Sequence, residues 1–314
     1  MNMTIYPETN LTRIARRSRY RHHWTVDLMI ALLLFVITVS AQGITLLLIL
    51  LIGAIIQFVS DGLSGEDLLR LITEFETSSQ FTLLGLFLTI TLILVPILYC
   101  TVFERRPLTS LGFSLNAGFR EYVIGLLLGL VMLSSALGIC YLSGCVSAMW
   151  ICSNPMLLLA FFFGYMIQGM SEEVFCRGFL LQTLSICNPP WFAVLISSLF
   201  FASLHLCNKG ITFISFANLF LFGVFASTYM WRRGNIWGIA AVHAAWNFSQ
   251  GNLFGIPVSG LPSGPSLFQT VFIGSDHLWS GGDFGLEGGL AVTIVLFVFT
   301  VVLFVVPSTK ASCS

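Results

Sequence analysis

The sequence carries very little charge. Only 9% of its 314 residues are Asp, Glu, Lys or Arg, whereas 56% are apolar. Soluble domains contain about a quarter charged residues, so this composition excludes an ordinary soluble globular protein. The 14 basic residues are balanced by 14 acidic ones, which leaves no excess of positive charge to neutralise phosphates. We therefore expect a chain embedded in the lipid bilayer, with no nucleic-acid partner.

Several motifs of soluble enzymes are also missing. None of the eight cysteines forms a Cys-x-x-Cys pair, which argues against a structural zinc site or a thioredoxin-like site. The sequence has no His-Glu-x-x-His helix and no Gly-rich phosphate loop, and we predict no cofactor and no metal. Cys145 and Cys152 flank a short predicted outer loop. They either form a disulfide or, like the other cysteines, are small buried apolar residues.

Long apolar runs are the dominant feature. A helix needs roughly 20 apolar residues to cross a bilayer core about 30 Å thick. The predicted fold is an all-α, polytopic transmembrane helix bundle of about eight spans. The last-but-one run is short and carries polar residues, so seven spans are the alternative. The predicted spans are 26–57, 81–102, 121–143, 155–187, 190–207, 211–231, 235–250 and 288–306.

The charges that remain are distributed unequally between the two sides of the membrane. Basic residues cluster at 13–21, 105–106 and 232–233, which are all on one side of the predicted bundle. Most acidic residues fall on the other side: Asp61, Glu66, Asp67, Glu74, Glu76, Asp276, Asp283 and Glu287. Because basic loops stay in the cytoplasm, both termini are predicted to be cytoplasmic. We expect an integral, multi-pass membrane protein, in the cytoplasmic membrane if the source is prokaryotic.

The organisation of the chain follows from these runs. The first apolar run is predicted to be an uncleaved helix rather than a signal peptide, because apolar sequence resumes at Ile44 with no polar domain following. We divide the chain into a basic cytoplasmic segment, 1–23, and two helices with an acidic outer loop, 24–104. A core, 105–250, follows, and then an outer loop, a last helix and a short tail, 251–314.

Ionisable groups inside apolar runs are costly and mark function by default. They fall in three short segments, Ser171–Arg177, Phe201–His205 and His243–Asn247. At 1.5 Å rise per residue, Glu172, His205 and Asn247 would each lie about 20–24 Å from the nearest cytoplasmic turn, and His243 about 13 Å. The sequence therefore predicts that these groups meet at similar depth on three helices.

The spacing within the segments separates two roles. Adjacent residues on a helix point about 100° apart, so Glu172 and Glu173 cannot both face one atom. Glu173 and Arg177 are four residues apart, in the order that favours an ion pair, which leaves Glu172 for chemistry. His243 and Asn247 are also four residues apart and would face one cavity.

Each of these groups has an architectural alternative. A Glu–Arg pair can simply pin a bundle, and a single histidine is usually a satisfied core residue. Polar contacts between transmembrane helices stabilise the bundle by only about 0.6–2 kcal/mol each, and uncharged Ser or Thr side chains could make such contacts. The combination on three successive helices therefore favours a catalytic interpretation.

In their order along the chain, Glu172-Glu173-x-x-x-Arg177, Phe201-x-x-x-His205 and His243-x-x-x-Asn247 resemble the CPBP intramembrane proteases. That family includes the type II CAAX prenyl endopeptidases and the bacterial Abi proteins. The segment Arg106–Phe113 is similar to one that often precedes the family domain. The resemblance covers 105–250. It implies a metal-independent, glutamate-dependent endopeptidase acting on a membrane-associated peptide or protein, prenylated of the CAAX type or bacteriocin-like.

The resemblance also implies a role for each residue. Glu172 would be the general base for a water that His205 helps to orient. His243 and Asn247 would stabilise the oxyanion, and Glu173 and Arg177 would support the helix.

Two other functions remain open from the sequence. The first is a zinc-dependent membrane protease in which Glu172, His205 and His243 are the ligands, a set that leaves a fourth position open. The second is a non-catalytic membrane protein, such as an immunity factor or a scaffold. The oligomeric state is not predicted.

Overall fold

A computed structural model describes residues 9–61, 67, 70, 73–75, 78–115, 117–274 and 277–306. Glu66, Glu76 and Asp276, which entered the charge argument above, lie outside the described residues. The described chain is a bundle of helices with little sheet, which confirms the predicted all-α class. Its helices are α1 Asn10–Ala15, α2 Trp24–Asp61, α3 Ser79–Leu88, α4 Thr91–Leu98, α5 Gly118–Leu142, α6 Pro155–Glu173, α7 Gln182–Cys187, α8 Pro190–Ser203, α9 Phe213–Arg233, α10 Trp237–Phe248 and α11 Leu290–Val305.

Four helical stretches are long and apolar enough to cross a membrane: Trp24–Phe58, Ser79–Phe103, Gly118–Leu142 and Phe213–Arg233. α8 and α11 are shorter apolar helices. Large apolar side chains are exposed on the surface of these helices, among them Leu32 and Leu47 of α2 and Phe297 of α11. The chain is therefore an integral membrane protein, while the number of eight spans stays a prediction.

The predicted span 81–102 is divided into two helices. α3 ends at Leu88 and α4 begins at Thr91, after which Tyr99–Phe103 continue as a wider π-helical turn. At the break, the hydroxyl of Thr89 donates to the Leu86 carbonyl at 2.6 Å and that of Thr91 donates to the Leu88 carbonyl at 2.9 Å. Such local side-chain bonds compete with the helical backbone ladder, and they account for the break.

The predicted span 155–187 is a continuous helical rod with a change of winding. α6 ends at Glu173, a π-helical segment covers Val174–Leu181, and α7 completes the rod. Wider π turns inside helices occur frequently at functional sites. Here the change of winding begins immediately after the two glutamates.

α10 is held between α5 and α6 by glycines. A Cβ at Gly129 of α5 would collide with the Val242 carbonyl of α10. On the other side, a Cβ at Gly169 of α6 would lie 2.7 Å from the Ala244 nitrogen. Small residues let transmembrane helix backbones approach closely. The glutamate-bearing helix α6 therefore packs directly against the helix that carries His243 and Asn247.

The segment before α5 joins two parts of the core. Arg106 is buried, pairs with Glu104 at 2.6 Å and donates to the Thr183 hydroxyl of α7 at 2.9 Å. The Gly112 carbonyl accepts a hydrogen bond from the Ile236 backbone N–H, just before α10, at 3.0 Å. These contacts fit a core that starts near residue 105, and the boundaries 105–250 remain our proposal.

Two strands form a small antiparallel ribbon. β1, Val146–Trp150, pairs with β2, Phe268–Phe272. Cys145 and Cys152 lie beyond opposite ends of β1, and both are free thiols. A strand rises about 3.3 Å per residue, so β1 holds the two thiols too far apart for a disulfide. The disulfide alternative for this pair is wrong.

Candidate active site

The four candidate catalytic residues line one cavity of about 650 Å³. Glu172 comes from α6, while His243 and Asn247 come from α10. His205 lies in the turn that follows α8, since that helix ends at Ser203, before the predicted end at 207. The common cavity is the arrangement that a catalytic site requires.

His243 lies between the two glutamates. Its Nδ1 is 2.8 Å from Oε1 of Glu173, and its Nε2 is 3.7 Å from Oε2 of Glu172. A carboxylate only accepts hydrogen bonds, so Nδ1 carries the proton in the contact with Glu173. Glu173 thus fixes the imidazole ring, and Nε2 is the nitrogen that faces Glu172 and the cavity.

Glu173 is fully buried in an ion pair. Nη1 of Arg177 donates to Oε1 of Glu173 at 3.0 Å, and both side chains are 0% exposed. The guanidinium lies 4.3 Å above the centroid of the Phe201 ring, and the Phe222 ring packs edge-on against His243. The Glu173 carboxylate needs the Arg177 guanidinium as its partner, because removing one member of a buried ion pair costs about 3–5 kcal/mol of stability. Glu173 and Arg177 are therefore placed to support His243.

Glu172 has a different environment from its neighbour. Its side chain is 20% exposed to the cavity, whereas that of Glu173 is 0% exposed. Its Oε1 accepts a hydrogen bond from Nε2 of Gln168 at 2.6 Å. Within the described residues, its Oε2 has no hydrogen-bond partner. One carboxylate oxygen is thus held by Gln168, while the other is buried and lies 3.7 Å from Nε2 of His243.

Asn247 and His205 complete the wall of the cavity. Nδ2 of Asn247 donates to Oε1 of Gln168 at 2.9 Å, and the second amide hydrogen can serve the cavity. Nδ1 of His205 lies 3.0 Å from the Phe201 carbonyl, and its ring packs against the Phe201 ring. His205 makes no direct hydrogen bond to the other candidates in the described part of the chain.

Analysis of the sequence missed two polar residues of this region. Gln168 bonds both Glu172 and Asn247, and its spacing of four residues before Glu172 was the available signal. Glu287, expected to be an exposed acid of the outer loop, is only 8% exposed. It accepts bonds from the Ser259 N–H and hydroxyl, both at 2.7 Å, and from Nε1 of Trp246 at 3.2 Å. These partners are distant in sequence, so no local pattern pointed to them.

The loop between α10 and α11 forms part of the cavity wall. Ser259, Leu261 and Pro262 line the cavity, and Nδ2 of Asn208 donates to the Ser259 carbonyl at 2.7 Å. Because Glu287 contacts both Ser259 and Trp246, it links this part of the loop to α10. The loop therefore covers the site that α10 helps to build.

We expect Glu287→Ala to loosen this link. The Ser259 and Trp246 donors would lose their buried acceptor. Each group left without a partner lowers the free energy of unfolding by about 1–3 kcal/mol. Each kcal/mol of lost stability lowers the melting temperature by about 2–4 °C, so the apparent melting temperature should fall by several degrees. Thermal unfolding of the purified protein measures this shift. Asp283→Ala is the control. Asp283 forms an ion pair with Lys209, but its side chain is 71% exposed, and exposed ion pairs contribute little to the free energy of unfolding. Equal melting temperatures for the two variants would contradict the role of Glu287.

Among the described residues, no group of three His, Cys, Asp or Glu side chains converges to hold a metal ion. The zinc alternative predicted Glu172, His205 and His243 as ligands. In the structure, Glu172 and His243 face each other, while Nδ1 of His205 is directed to a backbone carbonyl. The three candidates would have to rearrange to form that site.

Residues 153–249 match the model of a protein family described as Rce1-like, type II CAAX prenyl endopeptidase Rce1-like. The matched segment runs from just before α6 to the end of α10 and contains the six residues of the predicted motifs, Glu172, Glu173, Arg177, His205, His243 and Asn247. This match confirms the resemblance found in the motifs and implies a protease of the CAAX type within the membrane. No curated protein and no solved structure matches the chain.

Proposed function

Proceeding from the match of residues 153–249 to the type II CAAX prenyl endopeptidases, we propose that this chain is an intramembrane endopeptidase of the glutamic type. Its substrate is a membrane-associated peptide or protein, either a prenylated one of the CAAX type or a bacteriocin-like one. The observation that carries the proposal is the pair of unlike glutamates, with Glu173 locked to Arg177 and Glu172 facing the cavity beside His243.

The reaction is a general-base hydrolysis. The carboxylate of Glu172 removes a proton from a water that His205 orients, and the water oxygen attacks the carbonyl carbon of the scissile bond. The carbonyl oxygen becomes an oxyanion, which accepts hydrogen bonds from Nδ2 of Asn247 and from Nε2–H of His243, which acts here as an imidazolium with its Nδ1–H held by Glu173. When the C–N bond breaks, the proton on Glu172 passes to the leaving amine, so that the enzyme returns to its starting state.

Glu173 and Arg177 support this reaction without touching the substrate. Glu173 accepts from Nδ1 of His243 and thereby orients Nε2 towards the cavity. Arg177 balances the charge of Glu173 in a dry environment. A histidine held in this way by a second side chain is ready for catalysis without reorganisation.

We expect peptide hydrolysis by the purified protein to be insensitive to metal chelators. The proposed base and oxyanion donors are all side chains of this chain, and no step needs a Lewis acid. The assay measures cleavage of membrane-associated reporter peptides, with and without a farnesylated C-terminal cysteine, in liposomes before and after treatment with a chelator.

Two outcomes would favour the alternatives. Loss of cleavage with the chelator and its recovery with zinc would support the metalloprotease. Stoichiometric peptide binding without cleavage, under all conditions tested, would support the immunity or scaffold protein.

A further inference from the structure

Gln168 connects two residues that the proposed mechanism uses separately. Its Nε2 donates to Oε1 of Glu172 at 2.6 Å, and its Oε1 accepts from Nδ2 of Asn247 at 2.9 Å. The side chain also lines the cavity. A single amide therefore bridges the general base on α6 and an oxyanion donor on α10.

The Gln168 amide satisfies both contacts at once, because it carries both a donor and an acceptor. The carboxylate of Glu172 requires a donor, whereas the Nδ2 group of Asn247 requires an acceptor. A glutamate at position 168 would offer no proton to Glu172 unless it were itself protonated, and an apolar residue would serve neither partner. Gln168 thus offers each of its two neighbours the hydrogen-bonding group that it needs.

The backbone geometry makes the bridge short. Gln168 and Glu172 are four residues apart on α6, so their side chains share a face. The next residue, Gly169, allows the α6 backbone to contact α10 near Ala240 and Ala244. That contact brings the Gln168 amide within hydrogen-bond distance of Asn247.

We propose that Gln168 is a positioning residue that sets the orientation of Glu172 and Asn247 relative to each other; this inference rests on the function proposed above. By donating to Oε1 of Glu172, it fixes the orientation of the carboxylate that acts on water. By accepting one hydrogen of the Asn247 amide, it fixes which edge of that amide faces the substrate and directs the second hydrogen to the oxyanion.

The test compares Gln168→Met and Gln168→Glu with Gln42→Met. Gln42 is a matched control because it also lines the cavity, and its amide donates to the Thr91 hydroxyl at 2.7 Å, away from the two catalytic groups. We expect Gln168→Met to lower kcat about 10–100-fold, since small displacements of catalytic groups have effects of this size. KM should change less than kcat, and Gln42→Met should keep the wild-type kcat.

The pH profile separates positioning from a general loss of structure. In Gln168→Glu, two acidic side chains share one site, so the acidic limb of the kcat/KM profile should move to higher pH. In an Asn247→Ala background, Gln168→Met should cost much less than in the wild type, because one of its targets is gone. A wild-type kcat and profile for both Gln168 variants, or full additivity with Asn247→Ala, would overturn the inference.

Glu172→Gln, assayed in parallel, keeps the two proposals distinguishable. If Glu172→Gln retains wild-type activity, the glutamate mechanism itself fails. If Glu172→Gln is inactive while the Gln168 variants behave as wild type, only the positioning role of Gln168 fails.

Discussion

Glu172→Gln is expected to abolish hydrolysis in a protein that still folds and inserts into the membrane. The substitution keeps the size and shape of the side chain, but an amide cannot take a proton from water. General-base catalysis contributes typically 10²–10⁴-fold, so turnover should fall by at least two orders of magnitude. Single-turnover cleavage of a reporter peptide in liposomes measures the loss.

The surroundings of Glu172 make this an informative variant. The side chain is 20% exposed to the cavity and carries no ion pair with Arg177, so its replacement should leave the melting temperature close to that of the wild type. Asp283→Asn, at an exposed ion pair, controls for the loss of an acidic group. Wild-type turnover in correctly inserted Glu172→Gln would falsify the mechanism.

The sequence predicted the class of fold and the segments that form the cavity. Apolar runs are long and nearly free of charge, so the helices and the membrane environment follow from composition. Helical spacing separated Glu172 from Glu173, and the family resemblance supplied the role proposed for each. In the structure, Glu173 does pair with Arg177, and Glu172 does face the cavity. Their catalytic and supporting roles remain proposals.

Other features depend on contacts that no local pattern encodes. The end of α8 at Ser203 places His205 in a turn, and the apolar run continued past that point. The link of Glu287 to Ser259 and Trp246 joins a loop to a helix across a long stretch of chain. Gln168 had a local signal, its spacing from Glu172, but its second partner on α10 is defined only by the packing of two helices.

Asn247→Ala is expected to lower kcat about 10²–10³-fold, the usual cost of losing one oxyanion donor. The effect should fall on kcat more than on KM, because the oxyanion forms only after the water attacks and is absent from the bound substrate. Thermal unfolding should change little, since the amide makes one hydrogen bond, to Gln168, at a cavity wall. Steady-state kinetics on a reporter peptide measures both kcat and KM. Asn208→Ala is the control, because it removes an amide side chain from the same cavity but leaves the proposed oxyanion donor in place. If the two variants lowered kcat equally, Asn247 would have no special part in the transition state, and the oxyanion would have to be stabilised by His243 alone.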